Sequence, residues 1–145
     1  MTDTAGQFNL PSRGRSSVAL VLVLFFALPV QAQQRLPFKP SAAEVSVLPE
    51  YCQARLSGNA DLQRSWAQTM GKENFMHLHH FCYGLNYMNR VKLIVGPNKH
   101  KRHYLQTALA QFNYVIRNWP EEFPLTAEAK SHKNQIEIQM KLQGM

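Results

Sequence analysis

The residues of this chain best suited to chemistry are the histidines of the segment His77-Leu78-His79-His80. His77 and His80 stand three residues apart, so on a helix their imidazoles share a face and can bind zinc, copper or nickel. Cys82 is rotated away from that face, and Glu73 is the one acid near the pair. Because the set lacks a third ligand, we predict no metal and no cofactor. An exported metal-binding protein using His77 and His80 is the alternative, and plain packing of the histidines at a helix–helix contact is the other interpretation.

Carboxylates are too scarce here for the usual acid–base or hydrolytic active sites. Only 9 of the 145 residues are acidic, and Asp61 is the one aspartate after residue 32. None of the glutamates stands beside a histidine in a recognisable catalytic arrangement. The chain also lacks a Gly-x-Ser-x-Gly motif, a phosphate-binding loop and the Cys-x-x-Cys-His motif of attached haem. We therefore predict that the protein is not an enzyme.

The N-terminus has the three parts of an export signal. Arg13 and Arg15 form a basic start, the apolar run VALVLVLFFALPV follows over 18–30, and Val30-Gln31-Ala32 provides small or modest residues for cleavage. The apolar run is shorter than the about 20 residues that a membrane-spanning helix needs, so a permanent anchor is the weaker alternative. We predict a signal peptide over 1–32, a periplasmic or secreted protein, and a mature chain that does not span a membrane.

The sequence carries a net charge of +7, and its densest cationic segment is the run NKHKRH over 98–103. We expect this run to be a loop in which Lys99, Lys101 and Arg102 dock on an acidic protein surface or on anionic headgroups. A solvated loop tip is the alternative. Because an exported protein seldom meets nucleic acid, we predict a protein partner of acidic character and unknown identity, and no nucleic acid.

Cysteine usage fits the same compartment. The chain has two cysteines, Cys52 and Cys82. An even count in an exported protein indicates a disulfide, which we predict between them. Two buried free thiols are the alternative.

Helical spacing of apolar residues, bounded by capping residues and prolines, dominates the rest of the chain. Residues 33–48 contain Pro37 and Pro40 and show no period, so we expect an extended linker there. Five helices are predicted after it: 49–56, a second one capped by Asn59 or Asp61 and closed by Gly71, 74–95 (with Asn74 as N-cap), 104–119 and one from 124 onward. No pair of strands is indicated. The predicted fold class is therefore all-α, built of helical hairpins.

Two of these helices carry a repeat-like pattern. The fourth places Ala108, Phe112 and Pro120 at relative positions 0, +4 and +12, and the third has Gly84 and Tyr87 three apart. This pattern resembles a tetratricopeptide repeat, whose paired helices have small residues and aromatics at these places. The resemblance implies that the small residues let the two helices approach closely while the aromatics fill the space beside them.

The resemblance covers residues 75–145 as one divergent repeat with a helix that can cap it, within a helical domain over 49–145. It departs from the repeat in three ways: Gly84 and Ala108 are about twice as far apart as the consensus places them, His80 stands where the first helix has a tryptophan, and Lys130 stands near the place of a small residue. The runs LPEYC and HLHHFCYGL are similar to exported bacterial tetratricopeptide-like proteins, which implies a periplasmic location and no chemistry.

Such a fold holds other molecules, because stacked helix pairs present a concave surface lined by first-helix side chains. The fourth helix uses its apolar face for the core, through Leu105, Ala108, Phe112, Val115, Ile116 and Trp119. The third helix keeps an outer stripe of interface-like residues, His79, Tyr83, Asn86 and Arg90. We therefore predict an interaction module or accessory subunit of an envelope assembly. Replacing Tyr83 or Arg90 by alanine should weaken binding and leave the melting temperature nearly unchanged.

Overall fold

The computed structural model describes residues 36–96 and 98–145, and within them the chain forms six α-helices. Their bounds are α1 Ala42–Ser46, α2 Glu50–Leu56, α3 Ala60–Met70, α4 Lys72–Lys92, α5 Lys99–Asn118 and α6 Pro124–Leu142. The described residues contain no strand, so the predicted all-α class is confirmed. The five predicted helices are all present, and α1 is additional.

The helices belong to one unit over residues 36–145, which has its own hydrophobic core. Within the described part of the chain, no helix is both long enough and apolar enough to cross a bilayer. The predicted signal peptide, 1–32, lies outside the described residues.

An antiparallel pair of long helices, α4 and α5, forms the centre of the fold. Contacts between the two helices follow an antiparallel order: His77, near the start of α4, contacts Tyr114, near the end of α5, and Tyr87 contacts Tyr104. α6 packs on α5, whereas α2 and α3 pack on α4. The core that these elements share includes the fully buried side chains of Leu78, Phe81, Tyr87, Leu105, Phe112, Val115 and Ile136. The predicted core face of α5 is thus confirmed, except that Ile116 is only half-buried.

The basic run 98–103 forms the first turn of α5, so the predicted loop is wrong. The side-chain oxygen of Asn98 accepts hydrogen bonds from the backbone N–H groups of His100, at 3.0 Å, and Lys101, at 2.9 Å. These bonds satisfy donors that the start of a helix otherwise leaves unpaired, and they offset the unfavourable positive charge at a helix N-terminus. α5 therefore begins at Lys99 rather than at Tyr104.

Two other asparagines are predicted N-caps, and the structure confirms only one of them. Asn59 caps α3, because its side-chain oxygen accepts two backbone hydrogen bonds from the first turn. Asn74 is not an N-cap: α4 begins at Lys72, directly after Gly71, and the Asn74 amide donates to the carbonyl oxygen of Met70 at 2.9 Å. Gly71 has a φ of 83°, which glycine adopts most readily, so this glycine separates α3 from α4.

The predicted extended linker, 33–48, contains helix α1 at Ala42–Ser46, which corrects that assignment. Ser41 and Glu44 form a reciprocal capping box at the start of α1. Phe38 packs edge to face on Tyr83 of α4, with ring centroids 5.2 Å apart. The stretch therefore belongs to the helical unit from residue 36 onward, and the residues before it lie outside the described part of the chain.

The predicted pairing of Cys52 with Cys82 is confirmed by the geometry of the two residues. Their Sγ atoms are 2.04 Å apart, and both side chains are fully buried. The link joins α2 to the middle of α4. On the chain-entropy model, a disulfide across 30 positions stabilises a fold by about 3–4 kcal/mol. α2 has only 7 residues, too few for independent helical stability, so it depends on this link and on its packing.

Candidate interaction surface

The predicted binding stripe of α4 has an open half and a covered half. His79 and Tyr83 are half-buried and reach the surface. Asn86 and Arg90 are buried, with 1% and 7% of their surface exposed. The expectation that the whole stripe is open to a partner is therefore wrong, and it fails at Asn86 and Arg90.

Arg90 holds the chain's own N-terminal segment against α4. Its Nε donates to Glu44 Oε1 at 2.6 Å, its Nη2 donates to Glu44 Oε2 at 3.1 Å, and the guanidinium also donates to the carbonyl oxygens of Pro37 and Lys39. The guanidinium carbon lies 5.2 Å from the centroid of the Tyr87 ring. The hydrogen bond from Arg90 lowers the pKa of the Glu44 carboxyl to about 2. Arg90 is thus a structural residue, and replacing it should lower stability, contrary to the sequence-based expectation.

A signal for this covering segment is present in the sequence. Ser41-Ala42-Ala43-Glu44 has the S-x-x-E spacing of a capping box, which predicts a helix start inside the supposed linker. The partner of Glu44 is harder to find, because Arg90 lies 46 positions away and no local spacing connects the two. Only the tertiary fold brings them together.

The open half of the stripe belongs to a continuous row of six rings, which we call the ring row. Its members in order are Phe38, Tyr83, His79, His80, Tyr114 and His77, and successive ring centroids are 5.2, 5.8, 4.2, 3.7 and 5.6 Å apart. Phe38 is half-exposed and the other five are half-buried. The row crosses from the N-terminal segment over α4 to α5. Sequence periodicity placed His77 with His80 and His79 with Tyr83 in separate stripes, and it did not identify Tyr114.

Hydrogen bonds to α5 hold two of these imidazoles in place. His80 Nδ1 lies 2.7 Å from Gln111 Oε1, and the His80 ring stacks on Tyr114. His77 Nδ1 lies 3.2 Å from the Tyr114 hydroxyl oxygen. Because these rings are already oriented in the free protein, a partner that binds them loses little affinity to ordering the surface.

A cleft beside the ring row lies between the N-terminal segment, α2 and α4. It has a volume of about 340 Å³ and is lined by Lys39, Pro40, Val45, Arg55, Leu56, His79 and Tyr83. Arg55 Nη2 lies 3.3 Å from His79 Nδ1, and Arg55 Nε donates to the carbonyl oxygen of Phe75. Burial lowers the pKa of His79, and the neighbouring His80 lowers it further, so this imidazole is neutral at pH 7. The lining contains two cations and no carboxylate, which favours an anionic group in the cleft.

The metal alternative lacks further ligands in the described part of the chain. No group of three or more His, Cys, Asp or Glu side chains lies close enough to hold a metal ion in residues 36–96 and 98–145. The Nδ1 atoms of His77 and His80 both face side chains of α5. The absence of a metal site stays a prediction, and a one-to-one zinc or copper titration that His77→Ala abolishes would contradict it.

The predicted basic residues lie away from the ring row. Lys99 and Arg102 are exposed in the first turn of α5, roughly 18–22 Å along the helix from Tyr114. Lys101 is buried, with 9% of its surface exposed, and its Nζ donates to the carbonyl oxygen of Ile94 at 3.4 Å. The structure therefore leaves Lys99 and Arg102 available to a partner and assigns Lys101 to the packing between α4 and α5.

Comparison with protein-family models gives no match, and comparisons with curated proteins and with solved structures give no significant match either. The tetratricopeptide resemblance therefore stays a prediction. The ring row, the cleft beside it and the exposed cations of α5 are the features of the molecule that indicate a function.

Proposed function

We propose that this chain is an exported helical-repeat protein that holds a protein partner, as an interaction module or accessory subunit of an envelope assembly. The observation that carries the proposal is the ring row, in which five half-buried rings of α4 and α5 follow one another and end at the half-exposed Phe38. Aromatic residues and arginine are enriched where proteins bind one another, because rigid amphipathic side chains give large contact areas at a low entropic cost.

The N-terminal segment indicates how α4 can hold an extended peptide. The Phe38 ring packs against Tyr83 and Tyr87, with centroids 5.2 and 6.1 Å away, and the Tyr87 hydroxyl donates to the Phe38 carbonyl oxygen at 3.0 Å. Arg90 binds the carbonyl oxygens on either side of this residue, those of Pro37 and Lys39. This combination of an aromatic anchor with backbone hydrogen bonds is a mode that a partner segment can repeat farther along the ring row.

The charge of the cleft indicates which side chains a partner presents there. Lys39 and Arg55 line it together with the neutral His79, and no carboxylate is among its lining residues. A partner segment that places an aromatic side chain on the ring row and an acidic side chain in the cleft satisfies both features. We therefore propose an acidic, aromatic-bearing protein segment as the ligand.

The pairing of α4 with α5 supports the repeat interpretation. The two helices are antiparallel, Gly84 lies against the ring of Phe112, and Ala108 is fully buried. Pro120 follows the end of α5, as the resemblance implies. In this interpretation α4 is the first helix of the repeat, and the ring row runs across it to the second helix, α5.

A capture experiment from the native envelope tests the proposal. The processed chain should recover a complex of fixed stoichiometry, and Tyr83→Ala and Tyr114→Ala should each abolish that complex. Leu62→Ala is the control, since Leu62 is exposed on α3, outside both the ring row and the basic run 98–103. Melting curves on the same variants keep binding separate from folding.

Two results would overturn the proposal. If Tyr83→Ala melts as early as Phe112→Ala, the ring row is part of the core and not a binding surface. If both tyrosine variants fold normally and retain the complex, the partner binds elsewhere on the chain.

A further inference from the structure

One end of the helical unit exposes aliphatic side chains. At this end α4 stops, α5 starts and α6 stops, and we call it the basic end. Leu93, Val95 and Leu142 have 83%, 97% and 81% of their surfaces exposed. Side chains this exposed project into solvent and have almost no neighbours to pack against. Single exposed apolar residues are ordinary on protein surfaces, but several projecting from one end of a bundle indicate a contact.

Exposed cations surround these aliphatic side chains. Lys92 ends α4, Lys99 and Arg102 lie in the first turn of α5, and Lys141 lies in the last turn of α6. None of the four takes part in a salt bridge with another described residue. Their charge is therefore not neutralised within the described part of the chain.

Acidic side chains are nearly absent from the basic end. Glu44 is engaged by Arg90, and Glu137 lies farther back along α6, 3.8 Å from Lys133. The opposite end of the unit, between α5 and α6, carries Glu121 and Glu122. At that opposite end Glu121 is paired with Lys130, whereas the cations of the basic end have no such partner among the described residues, so the basic end is the one that a negatively charged surface attracts.

The three helix ends adjoin one another. One cleft, about 440 Å³ in volume, is lined by residues of both α4 and α6, among them Lys92, Ile138 and Leu142. A second is lined by Lys99, Arg102 and Gln143, which connects α5 to the end of α6. The two clefts share Gln143 and so connect Lys92 and Leu142 with Lys99 and Arg102, and Leu93 and Val95 follow closely after Lys92 in the chain.

We propose that the basic end is a peripheral docking surface for the anionic phospholipid headgroups of a membrane. Cations at the level of the headgroups and aliphatic side chains that reach the boundary with the acyl chains are the two parts of such a contact. An acidic protein would meet the same charge, but it would also need recesses of its own that match Leu93 and Val95, because these two side chains project outward. A fluid lipid surface accepts projecting side chains without shape complementarity, so the observations favour lipid.

This inference is independent of the proposed function. The ring row and the basic end lie on different parts of α5, so a module bound to a membrane by its basic end leaves the ring row accessible to a partner. Each exposed cation near an anionic surface contributes about fivefold to partitioning, and the contribution falls as salt screens the charge.

Co-sedimentation with vesicles tests the proposal, using the chain from Gln33 onward so that the predicted signal peptide cannot contribute. We expect binding to phosphatidylcholine vesicles with 30% phosphatidylglycerol at low salt, and little binding to pure phosphatidylcholine. Lys99→Glu with Arg102→Glu should weaken binding at least tenfold. Leu93→Ser with Val95→Ser should remove the part of the binding that survives high salt.

Matched controls lie away from the basic end. Lys72→Glu with Arg117→Glu reverses two exposed charges elsewhere, and Met76→Ser changes an exposed apolar residue of α4. Both should bind within about twofold of the wild type, and so should the ring-row variant Tyr83→Ala. Circular dichroism confirms that each variant is folded.

Three results would overturn the membrane proposal. One is the absence of binding to anionic vesicles at low salt, and another is an equal loss in the control pair and in the Lys99–Arg102 pair. The third is a Lys99–Arg102 variant that keeps vesicle binding but loses the captured protein partner, which would assign the basic end to a protein. Failure of the ring-row variants to affect the partner would count against the proposed function and leave the vesicle result standing.

Discussion

Gly84 of α4 lies so close to Phe112 of α5 that a side chain at this position has no room. A β-carbon at Gly84 would stand 2.7 Å from Cζ and 2.8 Å from Cε1 of Phe112. Glycine in the middle of a helix is less favourable than alanine by about 1 kcal/mol. At this position the lower helical propensity allows the two central helices to approach closely. The ring of Phe112, fully buried, then occupies the space that the missing side chain leaves.

A double-mutant cycle tests this relationship. Gly84→Ala should destabilise the protein by about 1–2 kcal/mol, because overpacking a buried contact outweighs the gain in helical propensity. Phe112→Leu removes the ring atoms involved, so in that background Gly84→Ala should be neutral or stabilising. Urea unfolding of the wild type, the two single variants and the double variant gives the coupling free energy between Gly84 and Phe112. An increase in stability from Gly84→Ala alone would show that the close approach is not required.

Reduction of the disulfide should have a large effect for a chain of this size. A free-thiol assay under denaturing conditions should find no reactive thiol, since both cysteines are paired. Reduction, or the double change Cys52→Ser and Cys82→Ser, should lower the melting temperature by roughly 10 °C or more, as expected from about 3–4 kcal/mol. Detection of two thiols per chain in unreduced protein would contradict the pairing.

Local patterns were sufficient to predict much of this fold. The apolar spacing of α5 identified its core face from Leu105 to Trp119, and the cysteine count identified the link between Cys52 and Cys82. These features are carried by periodicity and composition, which a single sequence displays. Asn98 is a local signal for the start of α5, but the dense positive charge after it favours a loop.

The candidate site was predicted less well because its parts meet only in three dimensions. Tyr114 joins the ring row from α5, and Phe38 joins it from a segment whose prolines and lack of period predict a linker. Arg90 has a residue type that suits a binding surface, and it does bind an extended segment, but that segment belongs to the same chain. Helical periodicity gives the face on which a side chain lies, and it does not give the element that covers that face.

Export is tested by the N-terminus of the protein recovered from its native host. We expect the processed chain to begin at Gln33 or within a few residues of it. Ala32→Arg should block cleavage and retain the full-length chain, because signal peptidase requires a small residue directly before the cut. Gln31→Arg, one position earlier, should be processed as the wild type is. Recovery of the intact wild-type chain from the membrane fraction would contradict the prediction.

Acid should weaken the attachment of the N-terminal segment to α4. The pKa of Glu44 is lowered from 4.5 to about 2 by its hydrogen bond with Arg90, so the folded protein holds this carboxylate ionised more strongly than the unfolded chain does. A depressed pKa contributes stability that is fully present above about pH 4.5 and is lost as the pH falls toward 2. Glu44→Gln should therefore be clearly less stable than the wild type at pH 7, and the difference should shrink by pH 3.

Arg90→Ala should be the more damaging change at pH 7, on the order of 3 kcal/mol, because it leaves Glu44 and two backbone carbonyl groups without their donor. Glu122→Gln is the control, since it removes an exposed glutamate at the opposite end and should change stability by less than about 0.5 kcal/mol. Urea unfolding at pH 7 and pH 3 gives all of these values. A gap between the wild type and Glu44→Gln that stays constant with pH would show that the Glu44–Arg90 pair does not hold the segment in place.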